Sequence, residues 1–375
     1  MLRSVTGPRE FEAPPRTVVE RRTRRLTLRR PAVSDLDLIH ELHSDERTHQ
    51  YAPGLRHTSG EQSREMLASW LAHWEEFGFG YWIAVERGSS RSVGCVGVKF
   101  AEVAGTKGLD DRPVLNLYYR LLHHFQGAGL GREGARETVA FAAEWLPGWA
   151  CTALIPPANQ PSIRTAEAAG LIGNGTARRL DDLEQGDASL LFEAPRFAQV
   201  TDPGERRAAL VALWQRVNAA GGAVGFMGPS TEAEVRDRLD PHLAAVARGE
   251  ALLGTISRPD DGTLLGFGFW RLSDQPQKAH VAWLERLMVE PQANGHNLGR
   301  ILLAGLHALG RHNGIEIARL NYRGGTSLGE FYARCGYTEV GRVPGALRFG
   351  TDHRDDVEVA TRLDGRPLSR VGFPG

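Results

Sequence analysis

Apolar positions along this chain follow two rhythms, every second residue and every third or fourth, and one succession of those rhythms occurs twice. Leu26 and Leu28 alternate with polar neighbours and predict a first strand. Ser34 then heads a helix with Leu38 and Leu42 on one face, and Asp37 stands where the returning half of a capping box is expected. A second box, Ser59 with Gln62, opens a longer helix whose Met66, Leu67, Trp70, Leu71 and Trp74 form a stripe, ended by Gly78 and Gly80. Strands are predicted from about Tyr81 to Val85 and from Val93 to Phe100, across a turn at Gly88, Ser89 and Ser90. Next come a strand from Val114 to Leu122, a helix striped by Ala135, Val139, Ala142 and Leu146, and a buried strand from Trp149 to Ile155. A helix from Asn159 to Ala169 stops at Gly170, placed as a left-handed cap, and strands near Thr176 to Leu180 and Ala188 to Glu193 close the half.

The second half repeats the order. Arg206 to Asn218 and Glu232 to Arg248 read as helices, Ala251 to Ile256 and Leu264 to Leu272 as strands around an Asp-Asp-Gly turn. Val281 to Val289 is a strand, Leu298, Leu302, Leu306 and Leu309 mark a helix face, and Ile315 to Leu320 alternates again. Ser327 and Glu330 are spaced as a capping box for a short helix ending at Gly336, and two strands follow. Pro195, Pro203 and Gly204 punctuate the middle. The expected organisation is a basic tail over residues 1–23 and two domains, 24–195 and 196–375. Strands outnumber crossover helices in each, which predicts a mixed sheet with helices on its faces and excludes a doubly wound fold.

Composition narrows the class. With 375 residues, 41% hydrophobic and 24% charged, the chain suits two soluble domains. A formal net charge of +0 argues against nucleic acid as a partner. The 3 cysteines, Cys95, Cys151 and Cys335, are too scattered for a disulfide framework or a zinc site. His40 and His43 lack the spacing of a zinc helix and read as a solvated face, so no metal is expected. No apolar run is long enough to span a bilayer, so a cytoplasmic protein without membrane contact is expected, as a monomer or homodimer.

Candidate chemistry centres on two glycine turns at equivalent places. Gln126, Gly127, Ala128, Gly129, Leu130, Gly131 and Arg132 join the strand at Val114 to its helix; Asn294, Gly295, His296, Asn297, Leu298, Gly299 and Arg300 do the same a domain's length later. Backbone that curls with its N–H groups inward, followed by the positive end of a helix dipole, is a cradle for a pyrophosphate. Neither turn carries the Gly-Lys-Ser/Thr of a P-loop. Neither has the acidic residue that a dinucleotide site places at the end of the next strand.

The order strand, Gln/Arg-x-x-Gly-x-Gly, long helix, strand, short helix resembles the GNAT superfamily of acyl-CoA-dependent N-acyltransferases. The first half is similar to the subgroup containing ribosomal-protein N-terminal acetyltransferases, through Asn116-Leu117-Tyr118-Tyr119-Arg120 and Asn159-Gln160-Pro161-Ser162. The second matches through Leu287-Met288-Val289-Glu290-Pro291 and Phe331-Tyr332-Ala333-Arg334-Cys335-Gly336-Tyr337. The resemblance covers nearly the whole chain from Leu26. It implies an α/β fold of two tandem domains, each a mostly antiparallel sheet flanked by helices, with acetyl-CoA or another acyl-CoA as co-substrate and an amine as acceptor.

It also implies roles. Backbone amides at Leu287 and Val289 would hold the pantetheine, Tyr332 would protonate the leaving thiolate, and Glu285 would take the amine proton directly or through water. The first half has Ala166 where the second has Tyr332, and its related subgroup uses a serine, here Ser162, beside Asn159. Asn297 replaces a glycine of the first cradle, so the first half has the cleaner phosphate loop and the second the cleaner catalytic set. Catalysis is therefore expected in the second domain, on a small-molecule or peptidic primary amine. The alternatives are a non-catalytic acyl-CoA-binding or scaffold protein, and acetylation of protein N-termini by the first domain.

Overall fold

The computed structural model describes residues 14–15, 19–101, 103–104, 114–179, 189–222, 224–226, 228–293 and 295–368. The chain divides into two compact units, Met1–Arg196 with Pro259–Asp261, and Phe197–Arg258 with Gly262–Gly375.

In the first unit the elements are β1 (Arg21–Arg22), β2 (Leu26–Arg29), α1 (Leu36–Ser44), α2 (Gly60–Phe77), β3 (Tyr81–Glu86), β4 (Ser92–Ala101), β5 (Val103–Ala104), β6 (Val114–Leu121), α3 (Leu130–Trp145), β7 (Cys151–Ile155), α4 (Gln160–Ala168), β8 (Ile172–Arg179) and β9 (Ser189–Glu193). The sheet order is β1-β2-β3-β4-β6-β7-β9-β8-β5. Its parallel neighbours are β6 and β7, paired only at Leu115 with Cys151 and Asn116 with Thr152. Strand alternation then sorts the side chains. Tyr81, Ile83 and Cys95 face Ile39, Leu42, Leu67 and Trp70 of α1 and α2. Trp82 faces the other way and meets Phe141 of α3 edge-on at 5.0 Å.

The second unit repeats the plan: β10 (Arg196–Val200), α5 (Arg207–Ala219), α6 (Glu232–Ala247), β11 (Ala251–Ser257), β12 (Leu264–Arg271), β13 (Val281–Val289), α7 (Leu298–His312), β14 (Ile317–Arg323), α8 (Leu328–Arg334), β15 (Thr338–Phe349) and β16 (Asp352–Arg362). The order is β10-β11-β12-β13-β14-β16-β15. The parallel pair, β13 with β14, is joined only from Val281 to Trp283, so the rest of β13 runs free of β14. Phe267 and Phe269 pack on Leu213, Trp214, Leu239 and Leu243 of α5 and α6. The intervening Gly268 lets α7 close on the opposite face, where an added Cβ would stand 2.8 Å from Leu306.

Several sequence expectations need correction. Ser34 lies inside a short 3-10 turn, and Asp35, not Asp37, reaches back to the Ala32 N–H at 2.8 Å while pairing with Arg29. Ser327 already has helical angles and so cannot cap α8; Thr326 Oγ1 accepts from the Leu328 N–H instead. The Ser59–Gln62 box and the left-handed Gly78 are as expected. Residues 19–23, assigned to the tail, are in part built into the sheet. Arg21 and Arg22 pair with Leu28 and Thr27, and Arg21 Nε donates to the buried Glu137 at 2.7 Å. His43 is 2% exposed, so the face it shares with His40 is not simply solvated.

Candidate active site

Both glycine turns adopt one backbone conformation. Gly127 and Gly129 have φ of 77° each, and their counterparts Gly295 and Asn297 have 86° and 64°. Gly129 and Asn297 are the left-handed N-caps from which α3 and α7 start. Asparagine tolerates this region better than other residues with a side chain, so the substitution at Asn297 keeps the loop's shape. A Cβ at Gly127 or Gly295 would meet nothing within 4 Å. Leu130, Gly131 and Arg132 open α3 after the first turn, and Leu298, Gly299 and Arg300 open α7 after the second, so that each turn could hold a pyrophosphate at a helix N-terminus. Gln126 anchors the first turn by donating to the Leu121 carbonyl at 3.0 Å, and Arg25 donates to the Ala128 carbonyl at 2.8 Å. In the second, the His296 N–H donates to the Ala293 carbonyl at 3.1 Å. Asn294 lies outside the described residues.

The strands before these turns differ. β4 and β6 pair without interruption from Gly94 opposite Leu121 to Ala101 opposite Val114. In the second unit Phe267 faces Met288 but Phe269 faces Glu285, so Arg286 and Leu287 together stand opposite Gly268. This bulge has Arg286 in the left-handed region, at φ 54°. Leu287 and Val289 follow it on the stretch of β13 that has left β14. Adjacent residues on a strand normally point to opposite faces. The bulge cancels that alternation and brings both Glu285 and Arg286 to the side of α5 and α6.

Glu285 is not paired with Arg286. Arg271 Nε donates to its Oε1 at 2.6 Å, and His242 Nε2 lies 3.4 Å from Oε2. Burial works to raise the Glu285 pKa, but hydrogen bonds from His242 and Arg271 outweigh it and hold the group at about 2. His242 Nδ1 faces the Arg238 carbonyl at 2.9 Å. A carbonyl only accepts, so Nδ1 carries a proton towards Arg238, and Nε2 is directed at the carboxylate. His242 escaped the sequence reading because α6 and β13 meet only in three dimensions.

Tyr332 on α8 is 7% exposed, and its hydroxyl makes no hydrogen bond among the described residues. Burial raises its pKa, with Cys335 adding to the effect, so the phenol keeps its proton. It packs against Tyr322 of β14 and Tyr337 with ring centroids 5.9 and 5.6 Å away. Its neighbour Phe331 touches the start of α7, 3.6 Å from where a Gly299 Cβ would stand.

The first unit differs at both positions. Ala166 is fully buried in α4. Asn159 caps that helix, its Oδ1 accepting the Ser162 N–H at 3.1 Å, and the Ser162 carbonyl accepts from the Tyr119 hydroxyl. Over β6 a directed chain runs from Arg120 Nε to the Tyr118 hydroxyl, to His43 Nε2, and from His43 Nδ1 to the Ile39 carbonyl. Arg120 also donates to the Thr48 carbonyl. Burial drives His43 down to about 3, and His57 stacks on it at 5.0 Å. Among the described residues no three or more His, Cys, Asp or Glu side chains are grouped to hold a metal ion. No described helix is long and apolar enough to cross a membrane.

Two mixed sheets, each with a splayed parallel pair and a phosphate-shaped turn opening the helix between the two strands, define a protein of tandem transferase domains. A family model described as an acetyltransferase (GNAT) domain matches residues 25–172, and a second so described matches 257–339. Together they cover more than half of the chain, which belongs to the GNAT acetyltransferase family. Similar solved structures include an acetyltransferase from Agrobacterium tumefaciens, 22% identical over 49% of this chain and 95% of that one, at a TM-score of 0.38. The ribosomal-protein-alanine N-acetyltransferase of Brucella melitensis is 16% identical over 44% of this chain and 98% of its own, at 0.36. The ribosomal-protein-S18-alanine N-acetyltransferase of Escherichia coli is 16% identical over 47% and 98%, also at 0.36.

Proposed function

We propose that the second unit transfers an acetyl group to a primary amine of a small molecule by direct attack. The observation that carries this reading is Tyr332, a buried phenol with an unengaged hydroxyl, where the first unit has Ala166. The bulge at Arg286 and Leu287 supports it, since the first unit's strand has no such break. Acetyl-CoA, when bound, supplies the acetyl group as a thioester. Gly295, His296, Asn297, Leu298, Gly299 and Arg300 would hold its pyrophosphate, and Leu287 and Val289 would offer backbone amides along the stretch of β13 beyond its pairing with β14.

Tyr332 holds a proton for the departing thiolate. Glu285, with a pKa of about 2, is a weak base by itself. Its fixed negative charge beside the bulge stabilises the ammonium that develops on the attacking amine, whose proton leaves to water. The first unit binds acyl-CoA through Gln126, Gly127, Ala128, Gly129, Leu130, Gly131 and Arg132 and contributes little turnover; Ser162 is its remaining candidate donor. The neutral chain suits a small acceptor.

Free thiol release from acetyl-CoA over a panel of amines tests the assignment with Tyr332→Phe and Gly129→Trp. Loss of activity in the first and its retention in the second are expected. The reverse pattern moves catalysis to the first unit, and CoA binding without turnover on any amine leaves a binding protein.

A further inference from the structure

Three arginines of the second unit, Arg286, Arg238 and Arg323, lie over aromatic rings and make no ion pair among the described residues. Arg286 is half-buried, its guanidinium over the Trp214 ring at 5.4 Å, and its Nε has no hydrogen-bond partner. Gly225 makes room for it: a Cβ there would stand 2.6 Å from Nη1. Arg238 lies over the next residue, Phe226, at 4.9 Å. Burial lowers the Arg286 pKa, and Arg238 works in the same direction against Glu285. The nearby carboxylates are engaged elsewhere, Glu285 by Arg271 and His242 and Glu290 by Arg216.

Phe226 also lines a small cleft between the α5–α6 connection and the end of the β15–β16 hairpin, together with Asn218, Arg323 and Phe349. Arg323 stacks on Phe349 at 4.7 Å. Its cross-strand neighbour Asp356 accepts instead from Asn321 Nδ2. Asn218 is 1% exposed, and its Oδ1 has no partner while its Nδ2 donates to Ser230. A buried amide oxygen left unpaired, in one cleft with the Arg323 guanidinium, which makes no ion pair among the described residues, is the arrangement that a ligand with both a polar hydrogen and an anionic group completes.

We propose that this cleft takes the acceptor and that the acceptor is an amine bearing a carboxylate, bound by Arg323, with a polar hydrogen on Asn218 Oδ1. The inference rests on the second unit's being the acetyltransferase and adds the substrate class.

The test compares amino acids with their carboxamides as acceptors of the full-length protein, by thiol release. Turnover efficiency at least about tenfold higher for the acid than for its amide is expected, because the site rejects the analogue that leaves its donors unpaired. In Arg323→Gln that ratio falls towards one through KM, and Arg323→Lys restores part of it. Arg342→Gln, on the same hairpin but paired with Glu339 and Asp355, leaves the ratio unchanged. Equal efficiency for acid and amide, or a ratio insensitive to Arg323, overturns the proposal while leaving acetyl transfer intact. Should no amine turn over, calorimetric titration with N-acetylated amino acids and their amides decides instead. Preferential binding of the acids, lost in Arg323→Gln, supports the cleft assignment, and equal binding overturns it.

Discussion

Glu285 Oε2 stands 3.4 Å from His242 Nε2, on the far side of the carboxylate from the Arg271 guanidinium. The pair joins α6 to β13 at the start of the bulge. Arg271 and His242 each engage one oxygen of the carboxylate and keep it charged. With its pKa at about 2, Glu285 stays ionised, and no titration of it appears in the rate between about pH 5 and about pH 9. Glu285→Gln is expected to lower kcat by about 10²-fold with little change in the KM for acetyl-CoA, the scale of a lost charge aimed at the reacting amine, and His242→Gln, which removes one of the two groups holding that carboxylate, to lower it less. Additive losses in the double variant would show that the two do not act as a unit.

Removing the Tyr332 hydroxyl should be selective for chemistry. Tyr332→Phe keeps the ring contacts with Phe331, Tyr322 and Tyr337 and breaks no hydrogen bond among the described residues. Thermal unfolding is expected to match the parent, while kcat falls by about 10²-fold or more. An equal fall in the melting temperature would point to a packing role instead.

Asn297 holds a left-handed backbone at φ 64°. Asn297→Val puts a β-branched residue there at a strain of about 1–2 kcal/mol, and Asn297→Gly relieves it. Calorimetry should find CoA binding weakened in the first variant and kept or improved in the second.

Glycine in a helix interior ordinarily costs about 1 kcal/mol relative to alanine. Gly305 of α7 is the reverse case, because a Cβ would lie 2.2 Å from Phe197 of β10. Gly305→Ala should destabilise the second unit by about 1–3 kcal/mol through overpacking, read as a lower denaturation midpoint; a rise would mean that Phe197 yields freely.

Acid should act on the first unit's histidines. Burial lowers His43 to about 3, and His49 and His73 to about 4, from an ordinary 6.5. The unfolded chain therefore binds more protons than the folded one below about pH 6.5, so stability present above that value is lost as pH falls towards about 4. Chemical denaturation across that range should show the loss, and His73→Asn should reduce its slope. A flat stability profile would mean that the folded state charges these rings.

The repeat, the two positive-φ turns and the place of Tyr332 on α8 were legible in the sequence because each is local. Glycine at positive φ, a capping pair such as Ser59 with Gln62, and a stripe every three or four residues are consequences of near neighbours along the chain. Where two local signals competed the pattern misled. Ser327 and Glu330 have box spacing, yet Ser327, at the N-cap of α8, has helical angles and its side chain makes no cap hydrogen bond. His43 shares a helix with the partly exposed His40 but lies under β6, and nothing near it in the chain says so.

Sequence by itself determined two mixed α/β domains, the turns that start α3 and α7, and the contrast between Ala166 and Tyr332. Tertiary structure decided which groups those elements bring together. Arg271 and His242 converge on Glu285 from two other elements and set its charge. One extra residue between Glu285 and Met288 reverses the alternation that would have sent Arg286 to the opposite face. Asn218, Phe226, Arg323 and Phe349 meet at one cleft only after the sheet has formed. Local backbone preference fixes where an element starts and how it turns, whereas a site's electrostatics depend on burial and on charges distant in the chain, which exist only once the layers pack.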